Sequence, residues 1–472
     1  MQRMPSRRPV GLIPTTLLIA GFALGGSFVG PAWAYSTYYA NLHSHCILSD
    51  GIGTAAEAFT YARDVANIDV LALTDHTHLL SAAEYSSLLT QATTSTTDGV
   101  FVALGAQEFG NLNDFNHINI YDASTRNPNP TENLTACYNF IVTSGAFGSF
   151  CHPNPNYGSN FDNLTFYPQY ADAMRAIEVV NGLASNDYEP QFLQALANGW
   201  KLGPAANQDN HQGEWGDKEN TNLGGRIYLT GILADQLTKA DILEALRARR
   251  FFAMEVDPPS DRMEVTFEVD GHPMGSVVTT GTGPVFTATA RAINGTGLFN
   301  RVELFRDGVI IDTKVLIGNQ ISYQYQDNLS DGESHYYFAR FRQVDSDRAW
   351  TAPVWVTAEL DPSSVEESPP QLGPGDVALL PSSPNPFHPK TDLRFVLPAR
   401  SEPGPYRVRV AIHDASGREV CDLGERLLSA GEHRWTWDGR DDQRRPAPAG
   451  VYLYTVSGRG LTPSTSRVVL LR

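Results

Sequence analysis

The sequence has little cysteine and little positive charge. Four cysteines among 472 residues are too few for a disulfide scaffold. One bridge among Cys46, Cys137 and Cys151 fits an oxidising compartment, and buried unpaired thiols are the alternative. Lys and Arg number 35 against 52 Asp and Glu, a net charge of −17. Because nucleic acids and anionic membranes would be repelled, we expect no nucleic-acid-binding module.

Long apolar runs are also missing beyond residue 34, so the mature chain is expected to have no membrane span. At the N-terminus, three arginines precede a mostly apolar stretch over residues 11–30, and an Ala-x-Ala motif ends at Ala34. This is the layout of a secretory signal peptide. We therefore predict a signal peptide at residues 1–34 and an exported protein, located outside the cell, at its surface or in a periplasm.

The remaining chain divides into four parts by pattern. Residues 35–260 alternate apolar strand-like runs with helical stretches, which predicts a parallel α/β barrel or sheet with its function at the C-terminal strand ends. Residues 261–360 show period-two strands and predict a β-sandwich. Residues 361–379, rich in Pro, Ser and Glu, predict a linker, and residues 380–472 predict a second β module. The strand candidates of the first part are Tyr39–His43, Val70–Thr74, Val100–Leu104, His117–Tyr121, Ala146–Phe150, Ala176–Val180 and Leu202–Asn207.

Histidines and carboxylates gather where these predicted strands end. His43 and His45 are two residues apart on one strand, so both imidazoles face one side, and Asp209 and His211 repeat that spacing after the last strand. The other candidates stand singly at strand ends or in adjoining turns: Asp50, His76, Glu108, His117 and His152. A lone histidine at such a place is more often a structural core residue. Nine convergent ligands instead predict a metal centre, and their imidazole and carboxylate groups suit zinc, manganese or iron.

The order and spacing of these motifs resemble the PHP (polymerase and histidinol phosphatase) superfamily. The motifs that carry the resemblance are Asn41–Cys46, Ser49–Gly51, Thr74–His76, Glu108, Cys151–Pro153 and Asp209–His211. It implies a distorted (β/α)7 PHP barrel at residues 35–260, followed by two all-β immunoglobulin-like sandwich domains. It also implies a site of two to three divalent ions. One ion would be held by His43, His45, Glu108 and Asp209; a second, bridged through Glu108, by His117 and His152; and a third by Asp50, His76 and His211.

The resemblance implies a phosphoesterase acting on a small phosphate ester through a hydroxide that bridges metals. Three divalent ions and three ligand carboxylates leave about +3 at the centre, which suits a phosphoryl group. Glu108 and Asp209 are the expected catalytic ligands, and Asp75 and His78 are candidates for proton transfer or ligand support. Two alternatives stay open. The same site would serve a carbamate or carboxylic ester hydrolase, and a surface adhesion protein could retain a metal-stabilised barrel without activity.

Two further resemblances concern the branch and the C-terminus. The short interval from Glu108 to His117, the strand Ile177–Gly182 and the segment Ala245–Arg250 resemble the PHP branch that contains carbaryl hydrolases. The C-terminal module resembles FlgD-like, immunoglobulin-type sorting domains, which implies contact with the cell surface or with secretion machinery. Its motifs are Asn385–Phe387, Gly417–Val420, Trp437–Arg440 and Gly450–Tyr452.

Overall fold

The predicted signal peptide at residues 1–34 and most of the predicted linker lie outside the residues that the structure describes. Among the described residues, no helix combines the length and apolar character needed to cross a membrane. The computed structural model describes residues 35–110, 117–129, 133–154, 160–182, 186–216, 226–257, 262–293, 297–359, 373, 375–385, 387–399 and 404–471.

Strands dominate the described chain. The first half contains β1 (Ser36–Asn41), β2 (Val70–Leu73), β3 (Val102–Gly105), β4 (Gln107–Phe109), β5 (Ile118–Tyr121), β6 (Phe147–Phe150), β7 (Met174–Asn181), β8 (Asn186–Asp187), β9 (Gly203–Asn207), β10 (Ile227–Ala234) and β11 (Phe251–Val256). Its helices are α1 (Ala55–Asp64), α2 (Ala82–Ser95), α3 (Leu134–Ser144), the left-handed turn α4 (Asn160–Leu164), α5 (Glu189–Ala197) and α6 (Lys239–Arg247). A 3-10 turn spans Pro168–Tyr170.

The second half is all β in its described residues. Its middle part contains β12 (Met263–Val269), β13 (His272–Pro273), β14 (Val277–Thr280), β15 (Val285–Ala292), β16 (Phe299–Arg306), β17 (Val309–Gly318), β18 (Gln320–Gln326), β19 (Ser334–Gln343), β20 (Arg348–Thr351) and β21 (Val354–Ala358). The C-terminal part contains β22 (Ala378–Ser383), β23 (Thr391–Leu397), β24 (Tyr406–Asp414), β25 (Glu419–Leu428), β26 (Gly431–Trp437), β27 (Gly450–Gly458) and β28 (Ser464–Leu470).

The first two helices begin at caps that the sequence supplies. Thr54 accepts a hydrogen bond from the Glu57 amide while the Glu57 carboxylate accepts one from the Thr54 amide, and Ser81 and Glu84 repeat this capping box at α2. Phe59 on α1 is buried in the same core as strand residues of β2. The caps therefore fix where each strand-to-helix connection ends, which places the preceding ligand-bearing turns.

Two sheets carry the first half of the chain. In one, parallel β1, β2 and β3 lie beside antiparallel β10 and β11, and the other contains β4 to β9. Strands β3 and β4 are separated only by Ala106, where the chain passes from one sheet to the other. Isolated bridges link the two sheets at Ser44–Asn210 and at His76–Glu108. Both bridges involve residues beside the predicted metal ligands or the ligands themselves.

The strand pairing of the described residues does not show the predicted distorted (β/α)7 barrel. The seven predicted runs all form strands, but pairing among the described strands yields two sheets rather than one closed ring. Moreover, β5 is antiparallel to both β4 and β6, whereas a regular (β/α) barrel is parallel throughout. The sequence pattern could not show this, because a short buried apolar strand has the same pattern in either direction.

The first half and the middle part share a sheet. Strand β11 pairs with β20, with Ala253 opposite Trp350, so an 11-stranded sheet continues from β3 into β14, β16, β17, β19 and β21. A four-stranded sheet of β12, β13, β15 and β18 forms the second layer. Phe286 and Tyr337 meet between the layers with ring centroids 4.2 Å apart. Residues 263–358 thus contribute strands to two β layers. Strands β10 and β11, which were not among the predicted strands, join these layers to the first half.

The C-terminal part has its own two layers. A three-stranded sheet (β22, β23, β26) faces a four-stranded sheet (β24, β25, β27, β28). Trp437 is fully buried between them, with Phe387 and Tyr452 against its ring at centroid distances of 5.4 and 4.9 Å. This separate core agrees with the predicted immunoglobulin-type module.

Candidate metal centre

The nine predicted ligands converge at the junction of the two sheets. They come from the segments after β1, β2, β6 and β9, from β4, and from the residue before β5. Five groups of described side chains each bring at least three ligand atoms within 4.8 Å of one another. Four of the groups consist of predicted ligands only: His45, Asp50, His76 and His211; His43, His45 and Glu108; His43, His152 and Asp209; and His76, Glu108 and His117. All nine residues therefore belong to one cluster.

Glu108 occupies the centre of this cluster and is fully buried. Its Oε1 lies 3.3 Å from His43 Nε2 and 2.9 Å from His117 Nδ1. Its Oε2 lies 3.3 Å from His45 Nε2 and 3.1 Å from His76 Nδ1. His152 Nε2 also lies 3.6 Å from Oε1. The two carboxylate oxygens thus face different imidazoles, which is the arrangement that a bridging carboxylate requires.

The other two carboxylates extend the cluster on either side. Asp209 Oδ1 lies 3.3 Å from His43 Nε2 and 3.2 Å from His45 Nε2, and its Oδ2 lies 3.9 Å from His152 Nε2. Asp50 Oδ1 lies 3.3 Å from His211 Nε2 and its Oδ2 3.6 Å from His76 Nε2. Asp50, His152 and His211 have the most exposed side chains of the set, at 31, 16 and 18%. The cluster is therefore open to solvent on their side.

These separations fit shared metal ions. Two ligand atoms that each lie about 2.1 Å from one tetrahedral metal are about 3.4 Å apart. Five buried atoms of the cluster also have no hydrogen-bond partner among the described residues: His43 Nε2, His45 Nε2, His76 Nδ1, Glu108 Oε1 and Glu108 Oε2. Because buried polar atoms are rarely left unpaired, the donor set fits divalent cations.

Other hydrogen bonds hold three of the imidazoles in the tautomer that a metal needs. His43 Nδ1 lies 2.9 Å from Glu178 Oε1, His45 Nδ1 lies 3.4 Å from Ser49 Oγ, and His211 Nδ1 lies 2.9 Å from the Asp209 carbonyl. With Nδ1 donating, the Nε2 lone pair of each ring points into the cluster. Such supporting contacts are typical of histidine ligands.

The electrostatics of the cluster show how strongly its charges depend on one another. Burial opposes ionisation of Glu108, but His76, His117 and His43 outweigh it and hold the pKa of Glu108 well below its usual value. Burial lowers the pKa of His45, whereas the carboxylates of Asp209 and Glu108, 3.2 and 3.3 Å from its Nε2, raise it overall to about 10. The carboxylates therefore stay ionised and need positive charge beside them, as protons on histidine or as metal ions.

Two ligands sit on left-handed backbone. His152 has a φ of 31° and Asp209 a φ of 54°, a region that L-residues other than Asn and Asp rarely adopt. The His152 amide donates to Glu178 Oε2 at 2.6 Å, and the Asp209 amide donates to the His43 carbonyl at 3.1 Å. Backbone of this kind persists only where neighbouring groups hold it, and it concentrates at functional sites.

The residues predicted for proton transfer have different surroundings. The Asp75 carboxylate accepts hydrogen bonds from the Cys46 amide, the Cys46 thiol and the Ser49 hydroxyl, the last at 2.7 Å. It therefore supports His45 through Ser49, and its role in proton transfer stays a prediction. His78 is half-buried beside His76, with ring centroids 5.3 Å apart. Burial and the neighbouring His76 lower the pKa of His78, which favours its neutral form.

Cysteine has no disulfide role among the described residues. Cys46, Cys137, Cys151 and Cys421 are all free thiols and buried. The first donates to Asp75, and Cys151 donates to the Ser149 carbonyl at 3.6 Å. The structure thus agrees with the alternative of buried packing thiols.

Glu178 is a residue of the site that was not predicted from the sequence. This residue is fully buried at the base of the cluster and contacts His43 and the His152 backbone. The signal was available: a single carboxylate interrupts the apolar run Ile177–Val180, and a charge in a buried strand needs partners.

Fold and site together define a class: a β-rich protein whose described residues include a buried histidine–carboxylate cluster able to hold metal ions. Residues 394–460 match the FlgD Ig-like domain family, so the C-terminus carries a domain of that kind. A two-domain protein of Bacteroides vulgatus, described as containing a predicted PHP-like metal-dependent phosphoesterase, is 17% identical in sequence. That match covers 69% of this chain and 96% of the other, with a TM-score of 0.38.

Relatives from Chlamydia match by sequence. An uncharacterised protein of Chlamydia pneumoniae is 25% identical over 233 residues, and one of Chlamydia trachomatis serovar D is 24% identical over 243 residues. Each match covers 42% of this chain and 36% of the relative. The chain thus spans little more than a third of the length of these relatives.

Proposed function

We propose that the protein is an exported metal-dependent phosphoesterase that hydrolyses small phosphate esters. The observation that carries the proposal is the set of buried ligand atoms in and around Glu108 that have no hydrogen-bond partner among the described residues. Nine nitrogen and oxygen ligands in one cluster suit two to three divalent ions of zinc, manganese or iron. The strands around the cluster, β1, β2, β3 with β4, β5, β6, β7 and β9, are consistent with a distorted and interrupted form of the PHP barrel.

Charge favours a phosphate over a neutral ester. Metal ions in this site would supply positive charge beyond that of the three ligand carboxylates and would lower the pKa of a nearby water molecule. The most exposed ligands, Asp50, His152 and His211, mark the side from which a substrate enters. Fully buried Glu108 and His43 form the floor, so the reacting phosphorus would lie above them.

The chain's own residues contribute orientation and a proton. Glu108 connects two groups of histidine ligands, because its Oε1 faces His43 and His117 and its Oε2 faces His45 and His76. His78 lies beside His76 at the rim and donates its Nδ1 proton to the Gly110 carbonyl at 3.0 Å. Its Nε2 is therefore an acceptor in the neutral ring, and after taking a proton from a water molecule in the site it can pass that proton to a leaving alkoxide. Asp75 supports His45 through Ser49 from below.

The test is turnover by residues 35–360, loaded with manganese or zinc, on three matched aryl substrates. These are a phosphate monoester, a phosphate diester and an N-methylcarbamate, with Asp209→Ala as the blank. We expect phosphate release that the blank lacks. Carbamate turnover without phosphate release would keep the metal centre and replace the substrate class. If metal binds and no substrate in this panel or a wider ester panel turns over, the adhesion-protein alternative takes its place.

The FlgD Ig-like domain supports the exported location. In this proposal the domain has no catalytic role and contacts the cell surface or secretion machinery. The predicted signal peptide at residues 1–34 also supports export.

A further inference from the structure

We propose that Glu178 is the positioning residue on which the metal affinity of this centre depends. The inference rests on the proposed metal centre but not on the identity of the substrate. Glu178 lies on β7 and has no solvent exposure. A carboxylate in such a place is retained only when its oxygens are satisfied, so the identity of its partners shows what it holds.

Both oxygens of Glu178 have two partners each. Oε1 accepts from His43 Nδ1 at 2.9 Å and from Asn207 Nδ2 at 3.0 Å. Oε2 accepts from the His152 amide at 2.6 Å and from Asn181 Nδ2 at 2.8 Å. One side chain thus connects residues on or directly after four strands: β1, β6, β7 and β9.

The contact with His43 fixes a tautomer. An ionised carboxylate can only accept, so His43 Nδ1 must carry the proton. In the neutral ring, the form that binds a metal ion, His43 Nε2 is then unprotonated, and it lies 3.3 Å from both Glu108 Oε1 and Asp209 Oδ1. Glu178 Oε1, at 2.9 Å, is the charged acceptor for this proton. Without this acceptor the ring could carry its proton on Nε2 and lose its place as a ligand.

The contact with His152 fixes a backbone. The amide at this position donates to Glu178 within the left-handed conformation, which is unfavourable in free energy for most residues with a side chain. The hydrogen bond to a charged acceptor offsets much of that cost. Glu178 therefore sets two ligands on two different strands at once.

A glutamine at this position has the same shape but cannot satisfy the four donors. If its amide nitrogen faces His43 and Asn207, it meets two donors, and His43 must turn its Nδ1 into an acceptor by moving the proton to Nε2. If the nitrogen faces the His152 amide and Asn181, it repels both and displaces the strained backbone. Either orientation impairs one ligand.

The experiment compares Glu178→Gln with wild type and with Glu189→Gln. Glu189 is a matched control, since it is a largely buried carboxylate that binds Arg340 and Trp350 away from the metal centre. Zinc affinity is measured by competition with a chromogenic chelator. The tautomer of His43 in the zinc-loaded protein, where the ring is neutral, is read from long-range 15N–1H spectra of the imidazoles. We expect a loss of zinc affinity of about 10- to 100-fold for Glu178→Gln. We also expect a shift of His43 toward the Nε2–H tautomer, and neither change in the control.

Zinc affinity within twofold of wild type and an unchanged His43 tautomer would overturn the inference. Should Glu178→Gln fail to fold, Asn207→Leu gives the second measurement. It removes one donor to Oε1 and leaves the His43 contact, so the tautomer should persist; its loss there would contradict the role assigned to Glu178. Wild-type protein that binds zinc but hydrolyses no phosphate would refute the proposed function alone.

Discussion

At the scale of single residues, both carboxylate oxygens of Glu108 are proposed metal ligands. Glu108→Gln should keep the fold and abolish most activity, because the amide group that replaces one oxygen cannot bind a metal ion. Loss of a bridging ligand costs several kcal/mol at such a centre, so turnover should fall by at least about 100-fold. Metal content per chain should fall as well.

Turnover and metal content by mass spectrometry check this prediction. Glu255→Gln is the control, since Glu255 is a buried carboxylate that pairs with Arg348 outside the cluster. Near-normal turnover in Glu108→Gln would show that another group bridges the metals.

The second prediction concerns the pH dependence of stability and follows from the protonation of His45. In the metal-free protein the pKa of His45 is raised from 6.5 to about 10, so the contribution of the protonated ring to the free energy of unfolding is fully present below about pH 6.5. It is lost as the pH rises through about 10. Metal displaces the proton, and the apparent metal affinity should therefore increase with pH.

Melting temperatures of metal-stripped and metal-loaded protein between pH 6 and 10 measure this effect. The difference between the two should widen as the pH rises. A difference that narrows with pH would contradict protonated histidines in the empty cluster.

At the scale of elements, the turns after strands carry the ligands, and one glycine shows how tightly they fit. Gly110 follows β4 with a φ of 121°, and a Cβ there would overlap the His117 ring. Gly110→Ala should displace His117, reduce metal content and destabilise the protein by about 1–3 kcal/mol.

Chemical denaturation and metal analysis check this prediction. Gly99→Ala is the control, because Gly99 also has positive φ but nothing lies within 4 Å of the added methyl group. If both variants retain wild-type metal content, His117 tolerates the displacement or does not bind metal.

The elements also show what the sequence could predict. His43 and His45 were predictable because their spacing puts two imidazoles on one side of a strand, and the same holds for Asp209 and His211. The direction of β5 was not predictable, since its four buried residues carry no sign of which neighbour they join. Nor could spacing reveal that His152 needs a left-handed backbone, because that conformation depends on a hydrogen bond to a residue 26 positions away.

At the scale of the whole molecule, the middle sandwich is joined to the site-bearing half by more than β11 and β20. Glu189 at the start of α5 binds Arg340 and Trp350, and Arg348 binds Glu255 and Asp187. The Glu189–Arg340 and Glu255–Arg348 pairs are largely buried, so loss of one partner leaves an uncompensated charge.

Truncation after residue 257 should therefore disrupt the fold, whereas truncation after residue 379 should not. A chain ending at residue 257 should fail to form a stable fold, because it exposes the edge of β11 and leaves Glu189 and Glu255 without their arginines. A chain ending at residue 379 should keep wild-type turnover and change only its location, since the FlgD Ig-like domain has a core of its own. Circular dichroism, turnover and cell fractionation report the outcomes. A folded, active 35–257 fragment would contradict the shared-sheet argument.

The shared sheet also bears on how such proteins can diversify. A recombination point near residue 260 would separate two strands that pair along four residues, Phe252 to Glu255 with Arg348 to Thr351. Strands β11 and β20 would then each need a strand from another protein that pairs in the same register and carries matching charges. The first 360 residues are therefore expected to be inherited as one unit, while the C-terminal domain, with its separate core, is free to be exchanged among unrelated proteins.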